Sequence, residues 1–194
     1  MQRFAFNLPV GGVCQFAFYV QDIYAAMEAY SRDLGVGPWF FLERLTINNT
    51  YRGKPTTFHG SIAVGYTGPM QIELIHQSDT APSVFMEVDA TRRHGLHHQC
   101  IAVRDFDARV RSFEESGCEV AMYVENEFKN RIVYIDMKGK LPFFVEVVEV
   151  NDIVERSYTA MYRTSMQWDG TNPIRRFSSI GDIAAMSAKV AELG

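Results

Sequence analysis

Four side chains of types that bind metal ions occur at matching places in two similar stretches of this sequence. The stretch QFAFYVQDI begins at Gln15, and the stretch HQCIAVRDF begins at His98, 83 residues later (98 minus 15). Each stretch is followed by an apolar segment with a glutamate in its middle, Glu73 in MQIELI and Glu146 in FFVEVV. Carboxylate, amide and imidazole groups are ligands of divalent cations. The repeat therefore predicts a four-ligand site between two related modules.

The two glutamates strengthen this interpretation because their neighbours in sequence are apolar. In a strand, the residues that flank each glutamate face one side and the carboxylate faces the other. A buried carboxylate without a partner costs several kcal/mol, so it needs a cation, a hydrogen-bond network or water. One such glutamate is common on an edge strand. Two at matching places, together with Gln15 and His98, favour metal binding.

The elements that must position these side chains repeat as well. In each stretch a strand, an aspartate suited to cap a helix, and a helix follow one another. The first copy predicts a strand over 13–20 and a helix over 23–34, with Asp22 as cap and Gly35 at its end. The second copy predicts a strand over 97–103 and a helix from the Asp105 cap to about residue 116. Three strands complete each module, near 39–45, 61–66 and 70–75 in the first and near 119–124, 132–137 and 141–150 in the second, and the polar stretch 48–55 reads as a loop.

The predicted fold class is α+β, built from paired βαβββ modules with a helical C-terminal extension. The first module covers 1–76 with an extended N-terminus, a connector covers 77–96, the second module covers 97–150, and the extension covers 151–194. Four strands and one helix bury little alone, so the modules are expected to pack as a pair. In the connector, Ser83 is a candidate cap of a short helix.

The extension is expected to hold two helices, one from the Asn151 cap to about Gln167 and one from near Asp182. A packing role or a dimer arm is favoured for it over a lid that uses Tyr162 or Trp168.

Composition excludes several other classes of protein. Hydrophobic residues make up 47% of the 194 residues and the net charge is −4, which gives no reason to expect nucleic acid or an anionic membrane as partner. No apolar run approaches the length of a membrane span, and the first residues lack a secretory signal. The three cysteines indicate neither a disulfide framework nor a zinc site. A cytoplasmic protein is expected.

The motifs resemble those of the vicinal oxygen chelate superfamily, the group of glyoxalase I, methylmalonyl-CoA epimerase, extradiol dioxygenases and bleomycin-resistance proteins. The resemblance covers about residues 12–150 and is carried by five segments: QFAFYVQDI at 15–23, LGVGP at 34–38, IELI at 72–75, GLHH at 95–98 and VEVV at 145–148. It implies a cupped, barrel-like mixed sheet with helices outside, around one divalent metal ion. The implied ligands are Gln15, Glu73, His98 and Glu146. His97 is expected on the opposite face of its strand.

This ligand set is most similar to that of glyoxalase I. The resemblance implies Zn²⁺, Ni²⁺, Co²⁺, Mn²⁺ or Mg²⁺, with iron less favoured, and a small-molecule substrate with adjacent oxygens. It also implies a proton moved next to a carbonyl through a metal-stabilised enolate, as in an isomerase, epimerase or lyase. The catalytic base would be Glu146, with Glu73 second. Ala17, Tyr19, Cys100 and Phe144 are expected to line the substrate pocket, and closure of the modules within one chain or across a homodimer is left open.

Two alternatives remain at this point. An extradiol-type ring-cleaving dioxygenase would need Fe(II) and a second histidine, whereas the first-strand position is Gln15; His59 or His76 would have to supply that ligand. A metal-free small-molecule-binding protein would instead let the four polar side chains bond one another.

Overall fold

The computed structural model describes residues 2–87 and 95–191, with side chains to residue 186. Its elements repeat one order, β-α-β-β-β. The first copy consists of β1 (Val13–Tyr19), α1 (Ile23–Leu34), β2 (Trp39–Tyr51), β3 (Lys54–Thr67) and β4 (Met70–Gln77). The second consists of β5 (Gly95–Val103), α2 (Phe106–Glu115), β6 (Glu119–Glu125), β7 (Arg131–Asp136) and β8 (Phe144–Glu149). The extension adds α3 (Asp152–Met166), β9 (Ile174–Phe177) and α4 (Ile180–Ala191).

The helices begin where the sequence places their caps. The Asp22 carboxylate accepts hydrogen bonds from the first turn of α1, and Asp105 and Asn151 do the same for α2 and α3. Gly35 ends α1 in the left-handed conformation, with φ of 64°. Ser83 caps a single 3-10 turn at Val84–Met86. Residues 88–94 of the predicted connector lie outside the described residues.

The strands described form one mixed sheet that closes on itself. Its order is β3-β4-β1-β5-β8-β7-β6-β2-β9. The additional pairing of β2 with β3 closes strands β1 to β8 into a barrel and leaves β9 outside the ring. The modules meet at two antiparallel seams, β1 with β5 and β2 with β6. The barrel therefore closes within one chain, and the predicted fold class is confirmed.

The helices α1 and α2 cover the outside of this barrel. Ile72 and Leu74, the neighbours of Glu73, pack under α1, and Val145 and Val147, the neighbours of Glu146, pack under α2. Strand alternation then points both glutamates to the interior, as the sequence predicts. None of the helices in the described part of the chain is long and apolar enough to cross a membrane.

The loop predicted over 48–55 is wrong. Strands β2 and β3 run through this stretch and are joined by a two-residue turn, Arg52–Gly53, with φ of 47° and 76°. Two consecutive residues with positive φ match the twist of a β-hairpin, and Gly53 adopts this conformation without steric strain. The stretch is polar because it lies at the end of a long hairpin, not because it lacks regular structure.

The extension covers one end of the barrel and adds a strand that the sequence analysis did not predict. β9 pairs in parallel with the start of β2, from Trp39 to Leu42, whereas β6 pairs with its end. In the same region Met161 of α3 and Ile183 of α4 pack against Phe40 of β2 and Tyr66 of β3. The extension is thus part of the core.

Arg52 joins the β2–β3 turn to the segment after the 3-10 turn and to strands β6 and β7. Its guanidinium contacts carboxylates of Glu87 and Asp136 at 2.8 Å and of Glu119 at 3.1 Å, and its side chain is only 29% exposed. We expect Arg52→Ala to lower the free energy of unfolding by about 1–2 kcal/mol, because several charge-assisted bonds are lost together. Urea denaturation at low and high salt measures this change. Arg32→Ala, which removes exposed pairs within α1, is the control and should shift stability by less than about 0.5 kcal/mol; an equal effect of both variants would contradict the prediction.

Candidate metal centre

Three ionisable side chains meet inside the barrel. The ligand-type atoms of Glu73, His98 and Glu146 all lie within 4.8 Å of one another, and all three residues are buried. The Nε2 atom of His98 is 3.3 Å from Oε2 of Glu73 and 3.4 Å from Oε2 of Glu146. A single cation placed among them could contact both carboxylates and the imidazole.

Strand register brings these residues together from distant parts of the chain. Ala17 of β1 pairs with Glu73 of β4 on one side and with His98 of β5 on the other. One step along the same seam, Cys100 pairs with Gln15 and with Glu146 of β8. The predicted ligands therefore come from four adjacent strands, with short side chains between them.

The backbone of β5 is irregular immediately before His98. Ala17 pairs with His98 but Phe18 pairs with Leu96, so His97 is the extra residue of a β-bulge. The bulge turns His97 into the barrel, where its ring packs on Phe144 and its Nδ1 lies 3.0 Å from Nδ1 of His98. The expectation that His97 faces away from the site is therefore wrong. A matching bulge at Cys14 precedes Gln15, so the irregularity follows the repeat.

His97 determines which nitrogen of His98 carries a proton. The Val84 carbonyl can only accept, so Nε2 of His97 must donate to it across 3.1 Å. Burial lowers the pKa of His97 to about 3, with repulsion from His98 adding to the effect, so this ring is neutral and its Nδ1 is an acceptor. His98 then donates from Nδ1. In neutral His98 the Nε2 lone pair points at the two carboxylates, which is the tautomer a metal ligand needs.

A second hydrogen-bond chain fixes the amide of Gln15. The Tyr66 hydroxyl donates its one proton to the backbone carbonyl of Tyr158, so it must accept from Nε2 of Gln71. The Oε1 of Gln71 is then left to accept from Nε2 of Gln15, at 3.2 Å. This orientation leaves Oε1 of Gln15 buried and without a hydrogen-bond partner among the described residues.

Three of the five buried side-chain atoms that lack a hydrogen-bond partner among the described residues lie in this cluster, where a cation would use them; the other two are Oδ1 of Asn49 and Nε of Arg109. Besides Gln15 Oε1, the described residues leave Glu73 Oε2 and His98 Nε2 buried without a hydrogen bond, since the 3.3 Å approach between them lacks hydrogen-bond geometry. Buried polar atoms are rarely left unpaired, because each costs free energy of about 1–3 kcal/mol. With Glu146, these residues offer three oxygens and one nitrogen and two negative charges. The donor set fits a divalent ion.

The pKa values of the cluster show how strongly its members interact. Burial on its own lowers the pKa of His98, but Glu146 and Glu73 outweigh it and raise this pKa to about 9. Burial raises the pKa of Glu73, and the nearby Glu146 charge adds to this rise. Burial also disfavours the charged form of Glu146, yet His98, Cys100 and Tyr134 together lower its pKa. Glu146 is therefore the carboxylate more easily kept ionised.

The cluster borders a cavity of about 420 Å³ inside the barrel. Gln15, Glu73 and Glu146 line it directly. Six residues of the extension form part of the wall, Ser178, Ser179 and four larger side chains that we call the roof: Tyr158, Met161, Ile180 and Ile183. The sequence analysis considered a lid but named Tyr162 and Trp168; neither lines the cavity. Tyr162 packs on Tyr66, and the Trp168 ring lies over Gly37.

The four residues expected to line the substrate pocket, Ala17, Tyr19, Cys100 and Phe144, do not line this cavity. Ala17 and Cys100 are short and lie between longer partners, Glu73 and His98 for the first and Gln15 and Glu146 for the second, which cover them. Tyr19 stacks on Phe85, and Phe144 stacks on His97. Ala17 and Cys100 therefore separate the candidate ligands, and Phe144 packs against the ring of His97.

Sequence reasoning missed several polar residues of the site. Gln71 could have been found, because it precedes Glu73 by two residues and so shares its face of β4. Tyr134 lies close enough to Glu146 for its hydroxyl to interact with that carboxylate. Tyr66 and Tyr158 gave no signal, since nothing in the sequence shows that α3 returns to the barrel.

Known proteins resemble this chain in sequence and in structure. A family model described as the Glyoxalase/Bleomycin resistance protein/Dioxygenase superfamily matches residues 14–134. No curated protein sequence matches the chain. A hypothetical protein from Bacillus halodurans C-125 has a similar structure, with a TM-score of 0.56, 17% identity, and coverage of 73% of this chain and 95% of that one. A methylmalonyl-CoA epimerase from Mycobacterium tuberculosis is also similar, with a TM-score of 0.52 and 21% sequence identity. The match covers 73% of this chain and 89% of that one.

The two histidines should titrate very differently in protein stripped of metal with a chelator. We expect His98 to titrate near pH 9 and His97 to stay neutral, with its proton on Nε2, down to about pH 3. Because the folded-state pKa of His98 exceeds its ordinary 6.5, its contribution to stability is complete below pH 6.5 and is lost as the pH rises through 9. Long-range ¹H–¹⁵N NMR of the imidazoles measures both values.

The control for that experiment is Glu146→Gln. It removes the strongest electrostatic attraction on the His98 imidazolium and should therefore lower the His98 pKa. A His98 that titrates near 6.5 in the wild type, or that does not respond to this substitution, would contradict the electrostatic description of the cluster.

Proposed function

Because the chain belongs to the glyoxalase/bleomycin resistance protein/dioxygenase superfamily, we propose that it is an enzyme that binds one divalent metal ion and moves a proton at a carbon next to a carbonyl group. The observation that carries the proposal is the set of buried donor atoms without partners beside a cavity. An amide oxygen, a carboxylate oxygen and an imidazole nitrogen all lack hydrogen bonds there. Buried groups of this kind favour a role in binding or catalysis over a role in stability alone.

Gln15, Glu73, His98 and Glu146 would hold the ion. When bound, a divalent ion acts as a Lewis acid that polarises a substrate carbonyl and makes the neighbouring C–H bond more acidic. The protein's own contribution is to present these donors in fixed orientations. His97 sets the tautomer of His98, and Gln71 sets the amide of Gln15.

Glu146 is the group we assign as base, with Glu73 second. The pKa of Glu146 is lowered and that of Glu73 is raised, so the two buried carboxylates differ in their readiness to accept a proton. An ionised Glu146 accepts the proton from carbon and later returns it, either to the same carbon or to its neighbour. Return to the same carbon is racemisation or epimerisation, and return to the neighbour is isomerisation.

The positions of the other histidines that the structure describes disfavour ring cleavage with Fe(II). Such chemistry uses two histidines and one carboxylate. Both nitrogens of His97 are already committed, to Val84 and to His98. Nδ1 of His59 lies 3.1 Å from the Thr46 hydroxyl, and Nδ1 of His76 lies 3.1 Å from the Val20 carbonyl. In the described part of the chain, the metal-ligand group includes one histidine only.

Metal content provides the first test. Protein purified without chelator should contain about one divalent ion per chain, and His98→Ala and Glu146→Ala should lose it. His97→Phe should keep the ion but bind it about 10–100-fold more weakly, because the tautomer of His98 is no longer fixed. Elemental analysis and calorimetric titration with Zn²⁺ measure these values. His59→Ala is the matched control outside the cluster; a wild type that stays metal-free after soaking with Zn²⁺, Ni²⁺, Mn²⁺ or Fe²⁺ would refute the proposal.

Hydrogen exchange tests the chemistry. Metal-loaded protein in D₂O should incorporate deuterium at the carbon next to the carbonyl of α-hydroxyketones, observed by ¹H NMR. Glu146→Gln should reduce the rate at least 100-fold, since the proton acceptor is removed. Glu125→Gln, at the edge of the cavity, is the control and should reduce the rate far less. Exchange that persists in Glu146→Gln would exclude Glu146 as base, and oxygen consumption without exchange would favour the dioxygenase alternative.

A further inference from the structure

The cavity beside the cluster differs from an anion-binding site in its charged groups. Among the described residues that line it, none is lysine or arginine. Its charged groups are carboxylates: Glu73 and Glu146 in the interior, and Glu125 and Glu127 further out. An anionic substrate would therefore meet no lysine or arginine in the described lining, and the histidine of that lining, His76, has its Nδ1 3.1 Å from the Val20 carbonyl.

With a divalent ion bound, Glu127 would be the carboxylate of the described lining that keeps an uncompensated charge. A divalent ion would balance Glu73 and Glu146, leaving the centre formally neutral. At the exposed edge, Lys129 pairs with Glu125 at 3.0 Å, but Glu127 has no ion-pair partner among the described residues. An anion approaching this edge meets a net negative potential, and it gains no countercharge once inside.

The remaining wall is mostly apolar. Side chains from β2, β3, β4 and β6 face the space, among them Ile47, Phe58, Ile75 and Met122. The roof of Tyr158, Met161, Ile180 and Ile183 closes the end on which the extension packs. The exposed lining residues mark where the cavity opens, and they are Thr46, Asn48, Glu125, Glu127 and Ser178.

The volume of the cavity also favours a small substrate. About 420 Å³ is at the small end of the range for ligand pockets, enough for one ring or a short alkyl chain with its polar group. The roof residues belong to the extension, beyond the part of the chain matched by the family model, which ends at residue 134. The C-terminal extension therefore limits the volume of the cavity in this chain.

We propose that the substrate is an uncharged small molecule with an alkyl or aryl body and two adjacent oxygens, and that anionic substrates, including acyl-CoA thioesters, are disfavoured. This rests on the proposed function, since it assumes that the metal and the base act in this cavity. The apolar body would lie against the β-strand wall and the roof, while the two oxygens reach the cluster. A carboxylate or phosphate on that body would lose its hydration without gaining a cation.

A matched pair of compounds tests the proposal. 2-Hydroxyacetophenone carries a carbonyl and an adjacent hydroxyl on a neutral aryl body, and its 4-carboxy derivative differs by one negative charge far from the reacting carbon. With Zn²⁺-loaded protein, we expect the neutral compound to bind at least tenfold more tightly in calorimetric titration. Its rate of deuterium incorporation per unit concentration should exceed that of the carboxylate by at least the same factor. Methylmalonyl-CoA, as a third probe, should show neither binding nor exchange at comparable concentrations.

A charge reversal at the edge of the cavity sharpens the test. Glu127→Lys should reduce the preference for the neutral compound several-fold, and Glu127→Gln, which removes the charge without reversing it, should reduce it by less. Glu127 is exposed, so both variants are expected to fold. A preference that is the same in all three proteins would show that charge at this edge does not select the substrate.

The outcomes separate this inference from the function on which it rests. Binding of the neutral compound without any exchange would leave the substrate class standing and overturn the proposed chemistry. Exchange that favours the carboxylated compound or methylmalonyl-CoA would overturn the substrate class and leave the chemistry standing. Binding of none of the three compounds would overturn the substrate class.

Discussion

The burial of two carboxylates and an imidazole at one point inside the barrel is the constraint on which the rest of the structure depends. Glu73 and Glu146 approach His98 to 3.3 and 3.4 Å, and all three residues are buried. Two ionised carboxylates whose oxygens lie within 4.8 Å of each other repel, and a positive charge beside them, either protonated His98 or a bound cation, offsets that repulsion. The same arrangement therefore stabilises the chain through protonated His98, and under the proposed function a divalent ion would take the place of that proton.

The barrel makes this arrangement possible by keeping the flanking residues apolar on the other side. Ile72, Leu74, Val145 and Val147 pack under α1 and α2, so each glutamate lies on a strand that is anchored from outside. The closed ring of strands has the same effect at the seams, because β1 and β5 hold the two halves of the cluster in register. Stability and site geometry thus depend on the same contacts.

Residues behind the candidate ligands fix the orientation of the His98 ring and of the Gln15 amide. The Val84 carbonyl decides the proton on His97 and so the free nitrogen of His98, and the Tyr158 carbonyl decides the amide of Gln71 and so the free oxygen of Gln15. Both chains end on a backbone carbonyl, which can only accept a hydrogen bond. One of those carbonyls belongs to α3. The extension is therefore connected to the candidate ligands by hydrogen bonds as well as by the roof of the cavity.

The sequence by itself determined the repeated module, the caps at Asp22, Asp105 and Asn151, and the inward direction of Glu73 and Glu146, because each follows from local periodicity and local hydrogen bonding. It also singled out the three ionisable residues that the fold brings together. It could not show that a bulge turns His97 inward, since a bulge depends on the partner strand, nor that Ala17 and Cys100 are covered by their neighbours across the sheet. The hairpin at 48–55, strand β9 and the roof were decided by tertiary structure alone. The residues of the hairpin and of β9 are polar or weakly patterned, and the apolar roof residues carry no signal of the surface that they cover. Only pairing with distant strands and packing over the end of the barrel gave them a defined place.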